Sequence, residues 1–138
     1  MRIMAIDYGD AHTGIAISDP TGFLTGFTTV INAYRPEVVA DQIAELVSQH
    51  GVEELVLGHP INMDGTRGPR SEKAHAMKAL LEERISLPFV LWDERRPTID
   101  AHQILFNSGK NAKQRKKVVD AVAASLILEG YLTFKKSH

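Results

Sequence analysis

Hydrophobic segments separated by turn residues predict three strands in the first part of the chain. Residues 2–8 are apolar and end at a glycine-containing turn, and residues 14–18 form a second apolar segment after a gap of hairpin length. Residues 28–31 follow another turn. Short β-capable segments punctuated by Gly and Asp are typical of antiparallel hairpins. The chain is therefore predicted to begin with a three-stranded antiparallel meander.

The rest of the chain alternates between helical spacing and compact apolar runs. Four predicted helices run from Pro36 to Gly51, around 74–81, from Pro97 to Gly109 and over about 117–132. Two runs typical of buried parallel strands are 54–58 and 88–92. The order βββαβαβαα predicts an α/β fold with a mixed five-stranded sheet, in which the meander is joined by parallel strands and helices flank the sheet. We expect one domain over residues 1–138, because no linker divides the chain.

Composition narrows the class of protein. Hydrophobic residues make up 43% of the chain and charged residues 24%, which is typical of a soluble globular protein. No run of about 18 apolar residues predicts a membrane span, and no signal peptide is apparent. Cysteine is absent, which excludes disulfides and thiolate chemistry and agrees with a reducing compartment. We expect a cytoplasmic protein with no membrane partner.

The net charge of −1 gives no overall attraction for nucleic acid. Any grip on a phosphate backbone must therefore come from local clustering. One basic segment stands out, with cations at Lys110, Lys113, Arg115, Lys116 and Lys117. Gly109 and Asn111 predict that this segment is an exposed connection between the last two helices. A run of this kind is often only a solvated surface, so the segment alone does not establish binding.

Acidic residues lie at the ends of apolar segments, where a soluble protein normally avoids them. Asp7 ends the first predicted strand, and Asp93 and Glu94 follow the run 88–92. Asp120 shares an apolar stripe with later residues of the final helix. Parallel strands place their carboxyl ends at one edge of a sheet, which is where ligands of open α/β sheets bind. We expect Asp7, Glu94 and Asp120, with Asp93 as a further candidate, to converge there.

Converging carboxylates repel one another, and hard divalent cations relieve that repulsion. We expect Mg²⁺ or Mn²⁺, as a pair of ions, because two ions about 3.5–4 Å apart can stabilise the attacking and leaving oxygens in phosphodiester cleavage. Each acid also has a structural explanation: Asp7 as a turn residue, Glu94 as a helix cap or ion-pair partner, and Asp120 as a first-turn acid. The histidines show no paired metal-ligand spacing, so zinc is not expected. His12 and His59 flank the predicted edge.

Four motifs resemble the YqgF family, also called RuvX, whose members are described as Holliday junction resolvases or pre-16S rRNA nucleases. They are Asp7-Tyr-Gly with Gly14-Ile-Ala-Ile-Ser-Asp19, Gly58-His-Pro-Ile-Asn-Met-Asp-Gly65, Leu91-Trp-Asp-Glu-Arg95 and Val119-Asp-Ala-Val-Ala-Ala124. The resemblance spans essentially the whole chain. It implies an RNase H-like fold, with Asp7, Glu94 and Asp120 as the catalytic, metal-binding triad.

The chain departs from the family pattern around these motifs. His12 or Thr13 stands in the first hairpin where the family usually has Arg or Lys, and His59 stands where it has Leu. Arg96 and Pro97 replace Leu-Ser after the Asp-Glu-Arg motif. All three acids are present, so the departures concern the surface that faces the substrate.

The leading hypothesis is a nuclease in which metal-activated water attacks a phosphodiester of structured RNA or DNA. The residues expected near the phosphates are Asn62, Arg67, Arg70, Arg95 and the basic cluster Lys110, Lys113, Arg115, Lys116 and Lys117. Processing of the 5′ end of pre-16S rRNA is favoured over junction resolution, because the net charge is slightly negative and no dimerisation helix is apparent. A monomer or weak dimer is expected, with structured RNA as the favoured partner and branched DNA as the second candidate.

Three alternatives remain open at this point. The first is a Holliday junction resolvase, which needs two active sites related by a two-fold axis. The second is a nucleic-acid-binding module without catalysis, which would need the basic segment but not the acids. The third is a nucleotide-binding fold of the actin and sugar-kinase type, which also begins with an Asp-x-Gly hairpin but normally closes two domains over its ligand.

Overall fold

A computed structural model describes residues 1–22, 24–59, 68–93 and 112–137, and in the last range it describes the side chains of 121–135. The strands are β1 (Ile3–Asp7), β2 (His12–Ser18), β3 (Thr25–Asn32), β4 (Glu54–His59) and β5 (Phe89–Asp93). The helices are α1 (Pro36–His50), α2 (Pro69–Arg84) and α3 (Ala112–Ser137). In these ranges, no helix combines the length and apolarity that crossing a bilayer requires.

The strands form one five-stranded sheet in the order β3-β2-β1-β4-β5. β1 pairs with β2 and β2 with β3 in antiparallel register, whereas β4 is parallel to β1 and β5 is parallel to β4. The predicted combination of an antiparallel meander with parallel strands is therefore confirmed. The carboxyl ends of β1, β4 and β5 lie along one edge of the sheet, which we call the carboxyl edge.

The sheet separates two hydrophobic cores, because successive side chains of a strand point to opposite faces. Met4 and Ile6 pack in the core with α1 and α2, whereas Ile3 and Ala5 pack in the core with α3. This alternation assigns each residue at the carboxyl edge to one face or the other.

Contacts near the carboxyl end of α3 show the direction in which this helix runs across the sheet. The Tyr131 ring packs against Trp92 of β5, with ring centroids 5.7 Å apart, and its hydroxyl donates a 3.1 Å hydrogen bond to Glu54 Oε1. Lys135 Nζ lies 3.0 Å from the same oxygen. Glu54 is the first residue of β4, so the carboxyl end of α3 lies over the starts of the parallel strands. The preceding turns of α3 therefore run toward the carboxyl edge.

The predicted boundaries differ from the observed ones mainly at element ends. β2 and β3 are longer than predicted, because backbone pairing extends through polar and glycine residues beyond the apolar segments. α3 includes Ala112, five positions before the predicted start near Lys117, so most of the basic cluster lies in a helix and the expected connection is wrong from residue 112 onward, whereas residues 109–111 lie outside the described residues. Ala, Lys, Gln and Arg all have high helix propensity, which explains the earlier start. The predicted helix from Pro97 to Gly109 lies outside the described residues.

Candidate active site at the carboxyl edge

Asp7 is the predicted catalytic residue whose side chain the structure describes most fully. It is the last residue of β1 and is half-buried. Alternate residues of a strand share a face of the sheet, so Asp7 lies on the same face as Ile3 and Ala5, which α3 covers. A half-buried carboxylate at the end of a buried strand requires a polar or ionic partner. Asp7 meets this requirement, because its side chain takes part in a polar or electrostatic interaction.

Glycines flank Asp7 on both neighbouring strands. Gly14 of β2 is its register partner, and Gly58 of β4 follows Leu57, the partner of Ile6. Both glycines are buried and contribute no side chain to the face of Asp7. Glycine inside a strand often marks a close approach of a ligand or another backbone. The surroundings of Asp7 within the sheet are therefore built from backbone on both sides.

Of the other two predicted acids, Asp120 is placed by the path of α3. Asp120 lies in α3, four residues before Ala124, which is buried against the sheet, and only its backbone is described. Because α3 runs toward the carboxyl edge, Asp120 lies between Ala124 and that edge along the helix. Glu94 follows the last residue of β5 and lies outside the described residues.

Asp93 reaches the same edge on the other face. Trp92 packs in the core with α3, whereas Phe89 and Leu91 pack in the core with α1 and α2. Asp93 therefore alternates to the face opposite Asp7. Its register partner is His59, the last residue of β4.

His59 is a buried residue with a partner of its own. Its Nε2 atom forms a 2.6 Å hydrogen bond with the hydroxyl of Ser71 in α2, and both residues are buried. The His75 ring packs edge-on against it, with centroids 4.8 Å apart. At the other flank, His12 Nδ1 lies 2.6 Å from Asn32 Oδ1. Both histidines have side-chain partners within the fold.

The turn after Asp7 carries a second charged feature. Asp10 is exposed, and Lys73 of α2 donates a 2.5 Å hydrogen bond to its Oδ1 atom. That hydrogen bond, followed by the charge of Lys73 and then of Arg70, lowers the pKa of Asp10 below its usual value. Burial, followed by the charge of Asp10, raises the pKa of the neighbouring Tyr8. The turn that begins at Asp7 is thus ion-paired to the start of α2.

Most predicted phosphate-contacting residues fall where side chains are not described. Arg70 is exposed in the first turn of α2. The residues outside the described ranges are Asn62, Arg67, Arg95 and Lys110, and those described only as helical backbone are Lys113, Arg115, Lys116 and Lys117. Sequence reasoning missed Lys73, because a lone lysine in an amphipathic helix carries no signal without its contact to Asp10.

The donor chemistry at this edge fits a hard divalent cation. Asp7 provides carboxylate oxygens, the ligand type that Mg²⁺ and Mn²⁺ prefer. Within the described ranges, no three His, Asp or Glu side chains are grouped closely enough to hold a metal ion. The side chains of Glu94 and Asp120, the other two predicted ligands, are not among those described.

Two solved structures with similar folds were determined with Holliday junction DNA. The chain superposes on Thermus thermophilus RuvC, solved in complex with a Holliday junction substrate, with a TM-score of 0.63 and 12% identity over 99% of this chain and 96% of that one. It superposes on the fowlpox virus resolvase, solved with Holliday junction DNA, with a TM-score of 0.55 and 11% identity over 99% and 98% of the two chains. At these identities the likeness establishes the fold, which is RNase H-like.

Sequence comparison gives closer relatives. A protein of Halothermothrix orenii, provisionally named pre-16S rRNA nuclease, is 42% identical over 135 residues, covering 98% of this chain and 96% of that protein. A Listeria monocytogenes protein with the same provisional name is 44% identical over 134 residues, covering 96% and 97%. The family model described as RuvX, Holliday junction resolvase, matches residues 1–134. The chain therefore belongs to the RuvX family.

Proposed function

We propose that this chain is a divalent-metal-dependent nuclease that processes the 5′ end of pre-16S rRNA in the cytoplasm. Membership of the RuvX family makes it a hydrolase of phosphodiester bonds. The provisional names of its 42–44% identical relatives support rRNA as the substrate. We propose a single nuclease domain over residues 1–138, since the family match extends over nearly all of them.

The observation that best supports this function is the placement of Asp7. It ends a buried parallel strand, lies on the face that α3 covers and has glycines on both neighbouring strands. A carboxylate held by a rigid strand with only backbone beside it is suited to holding a ligand in fixed geometry. The α3 helix runs toward the same edge and includes Asp120 on the way.

We assign Asp7, Glu94 and Asp120 to the binding of Mg²⁺ or Mn²⁺, and we leave the earlier candidate Asp93 out of this set because it lies on the face opposite Asp7. When bound, two such ions activate water and stabilise the attacking and leaving oxygens of a phosphodiester. The chain's own contribution is to hold these carboxylates in place. For Asp7, the pairing of β1 with β2 and β4 provides that rigidity.

Cations around the edge would position the RNA backbone. The proposed contacts come from Asn62, Arg67, Arg70, Arg95, Lys110, Lys113, Arg115, Lys116 and Lys117. Contacts to phosphate fix the register of the nucleic acid, whereas they do not read its sequence. Because much of the basic cluster is helical, its cations would be presented from a rigid element.

Junction resolution is the second candidate, supported by the description of the family model. Symmetric cutting of a four-way junction requires two sites related by a two-fold axis. Trimming an RNA end requires one site and one strand. We favour RNA because the 42–44% identical relatives are provisionally named pre-16S rRNA nucleases, and because a chain with a net charge of −1 is better suited to gripping one strand than a four-armed junction; we propose a monomer or weak dimer.

A side-by-side assay at one salt concentration tests the substrate. Purified protein is incubated with a precursor 16S rRNA end and with a four-way DNA junction, each with Mg²⁺ or Mn²⁺, and light scattering measures its mass in the same buffer. We expect cleavage of the RNA by a protein that is mainly monomeric. A stable dimer that cuts the junction symmetrically and leaves the RNA intact would establish the second candidate instead.

A further inference from the structure

The ion pair between α2 and the first hairpin lies at the turn that follows Asp7. Asp10 lies three residues after Asp7, so their Cα atoms are at most about 11 Å apart, whatever the path of the turn. Lys73 Nζ lies 2.5 Å from the Asp10 carboxylate. Its ammonium group therefore lies beside the turn that follows Asp7.

Two cations lie close together at the start of α2. Lys73 donates the hydrogen bond to Asp10, and the exposed Arg70 lies one helical turn before Lys73, where residues three apart are neighbours. From Tyr8 to Ser18 the chain itself has no Lys or Arg. Among the described side chains, the cation bound to this hairpin therefore comes from α2.

This ion pair is poorly suited to a purely structural role. The side chains of Lys73 and Asp10 are 51% and 75% exposed. Exposed pairs of this kind contribute little to folding, because water and salt screen them. Exchange of the carboxylate for another anion would therefore have little effect on the fold. A phosphate oxygen is such an anion, and it forms charge-assisted hydrogen bonds with ammonium and guanidinium groups.

We propose that Lys73 and Arg70 form a binding site for a backbone phosphate of the nucleic acid, and that Asp10 occupies this site in the free protein. The proposal rests on the proposed nuclease function and adds a specific contact to it. When nucleic acid binds, a phosphate replaces the Asp10 carboxylate at Lys73. Asp10 thus competes with the substrate, which lowers affinity for nucleic acid in general.

Binding measurements on single and double variants test this competition. The probe is a fluorescent single-stranded RNA oligonucleotide, followed by anisotropy over a range of salt in EDTA, with gels to confirm that it stays intact. Lys73→Ala should weaken binding about three- to tenfold and reduce the slope of log affinity against log salt by about 0.7, as expected for one lost phosphate contact. Asp10→Asn should strengthen binding about two- to fivefold, because it leaves Lys73 free.

The double variant separates competition from simple repulsion. If Asp10 acts by occupying Lys73, Asp10→Asn should give almost no gain once Lys73 is Ala. An equal gain in both backgrounds would mean that Asp10 only repels the RNA, and an unchanged salt slope in Lys73→Ala would mean that Lys73 contacts no phosphate. Either result overturns the proposal.

Matched controls use ion pairs remote from the carboxyl edge. Lys78→Ala removes the same charge from the same helix, where Lys78 pairs with Glu82 at 3.3 Å. Asp41→Asn removes an acid that pairs with Arg84 at 2.7 Å. Neither should change the salt slope or the affinity. If the wild type cuts RNA but Lys73→Ala binds like the wild type, this site is refuted while the nuclease function stands. If the wild type neither binds nor cuts, both are refuted.

Discussion

Tyr131 should make the stability of the protein depend on alkaline pH. Tyr131 belongs to α3, and its ring is buried where this helix packs on the sheet. Its hydroxyl donates a hydrogen bond to the Glu54 carboxylate. Burial, then the charge of Glu54, and then this hydrogen bond raise its pKa to about 12 from an ordinary value of 10.0. The folded state therefore keeps the phenol neutral at a pH where the unfolded chain ionises it.

The sign and size of the effect follow from that pKa. Because the pKa is higher in the folded state, the stabilisation is fully present below pH 10 and is lost as the pH rises from 10 through 12. Two pKa units correspond to about 2.7 kcal/mol. The hydroxyl lies beside the exposed Lys135, so solvent screens part of this electrostatic stabilisation. We therefore expect the free energy of unfolding to fall by about 1–2 kcal/mol.

Urea denaturation of the wild type and Tyr131→Phe at pH 9, 10, 11 and 12 measures the effect. The free energy of unfolding should fall by about 1–2 kcal/mol more for the wild type than for the variant across this range. Tyr34→Phe is the matched control, because Tyr34 is 81% exposed, and it should follow the wild type. Parallel curves for the wild type and Tyr131→Phe would refute the reasoning.

Three further predictions concern contacts near the site and in α3. His59→Leu should lower the free energy of unfolding in urea by about 1–3 kcal/mol, because it leaves the buried Ser71 hydroxyl unpaired, and adding Ser71→Ala should recover most of that loss. Equal stability of the single and double variants would contradict this. Gly9→Ala should reduce RNA cleavage and thermal stability, because a Cβ there would overlap the carbonyl oxygen of the first residue of β2; full activity would show that the turn adjusts. Gly130→Ala should raise stability by about 0.5–1 kcal/mol, because its Cβ would meet Trp92 at an ordinary 3.4 Å, and a lower melting temperature would show that the contact is too tight.

The sheet could be predicted from the sequence because its strands differ strongly from their surroundings. The runs that became β1, β4 and β5 are apolar and bounded by polar or turn residues, so their existence and direction followed from pattern alone. The ends of β2 and β3 could not be predicted, since they depend on pairing with a neighbouring strand rather than on local sequence. The start of α3 was missed because a basic run is equally compatible with a helix and a loop.

Part of the candidate site could also be predicted from a contrast between neighbouring residues. Asp7 stands out because an acid at the end of a buried strand is unusual. The assignment of Asp93 to the opposite face required the strand alternation and the contacts of Trp92. Asp10 and Lys73 are 63 positions apart, and local sequence patterns do not predict contacts between residues so distant in the chain.

Cleavage by Asp7→Asn is the most direct test of the claim that the carboxyl edge is a metal-dependent catalytic centre. The wild type, Asp7→Asn and the remote control Asp41→Asn are compared on a precursor 16S rRNA end with Mg²⁺ or Mn²⁺, after circular dichroism shows that all three are folded. Loss of a metal ligand removes several kcal/mol of transition-state stabilisation, so Asp7→Asn should be at least about a hundredfold slower while Asp41→Asn keeps the wild-type rate. Equal rates for folded Asp7→Asn and the wild type would contradict the account.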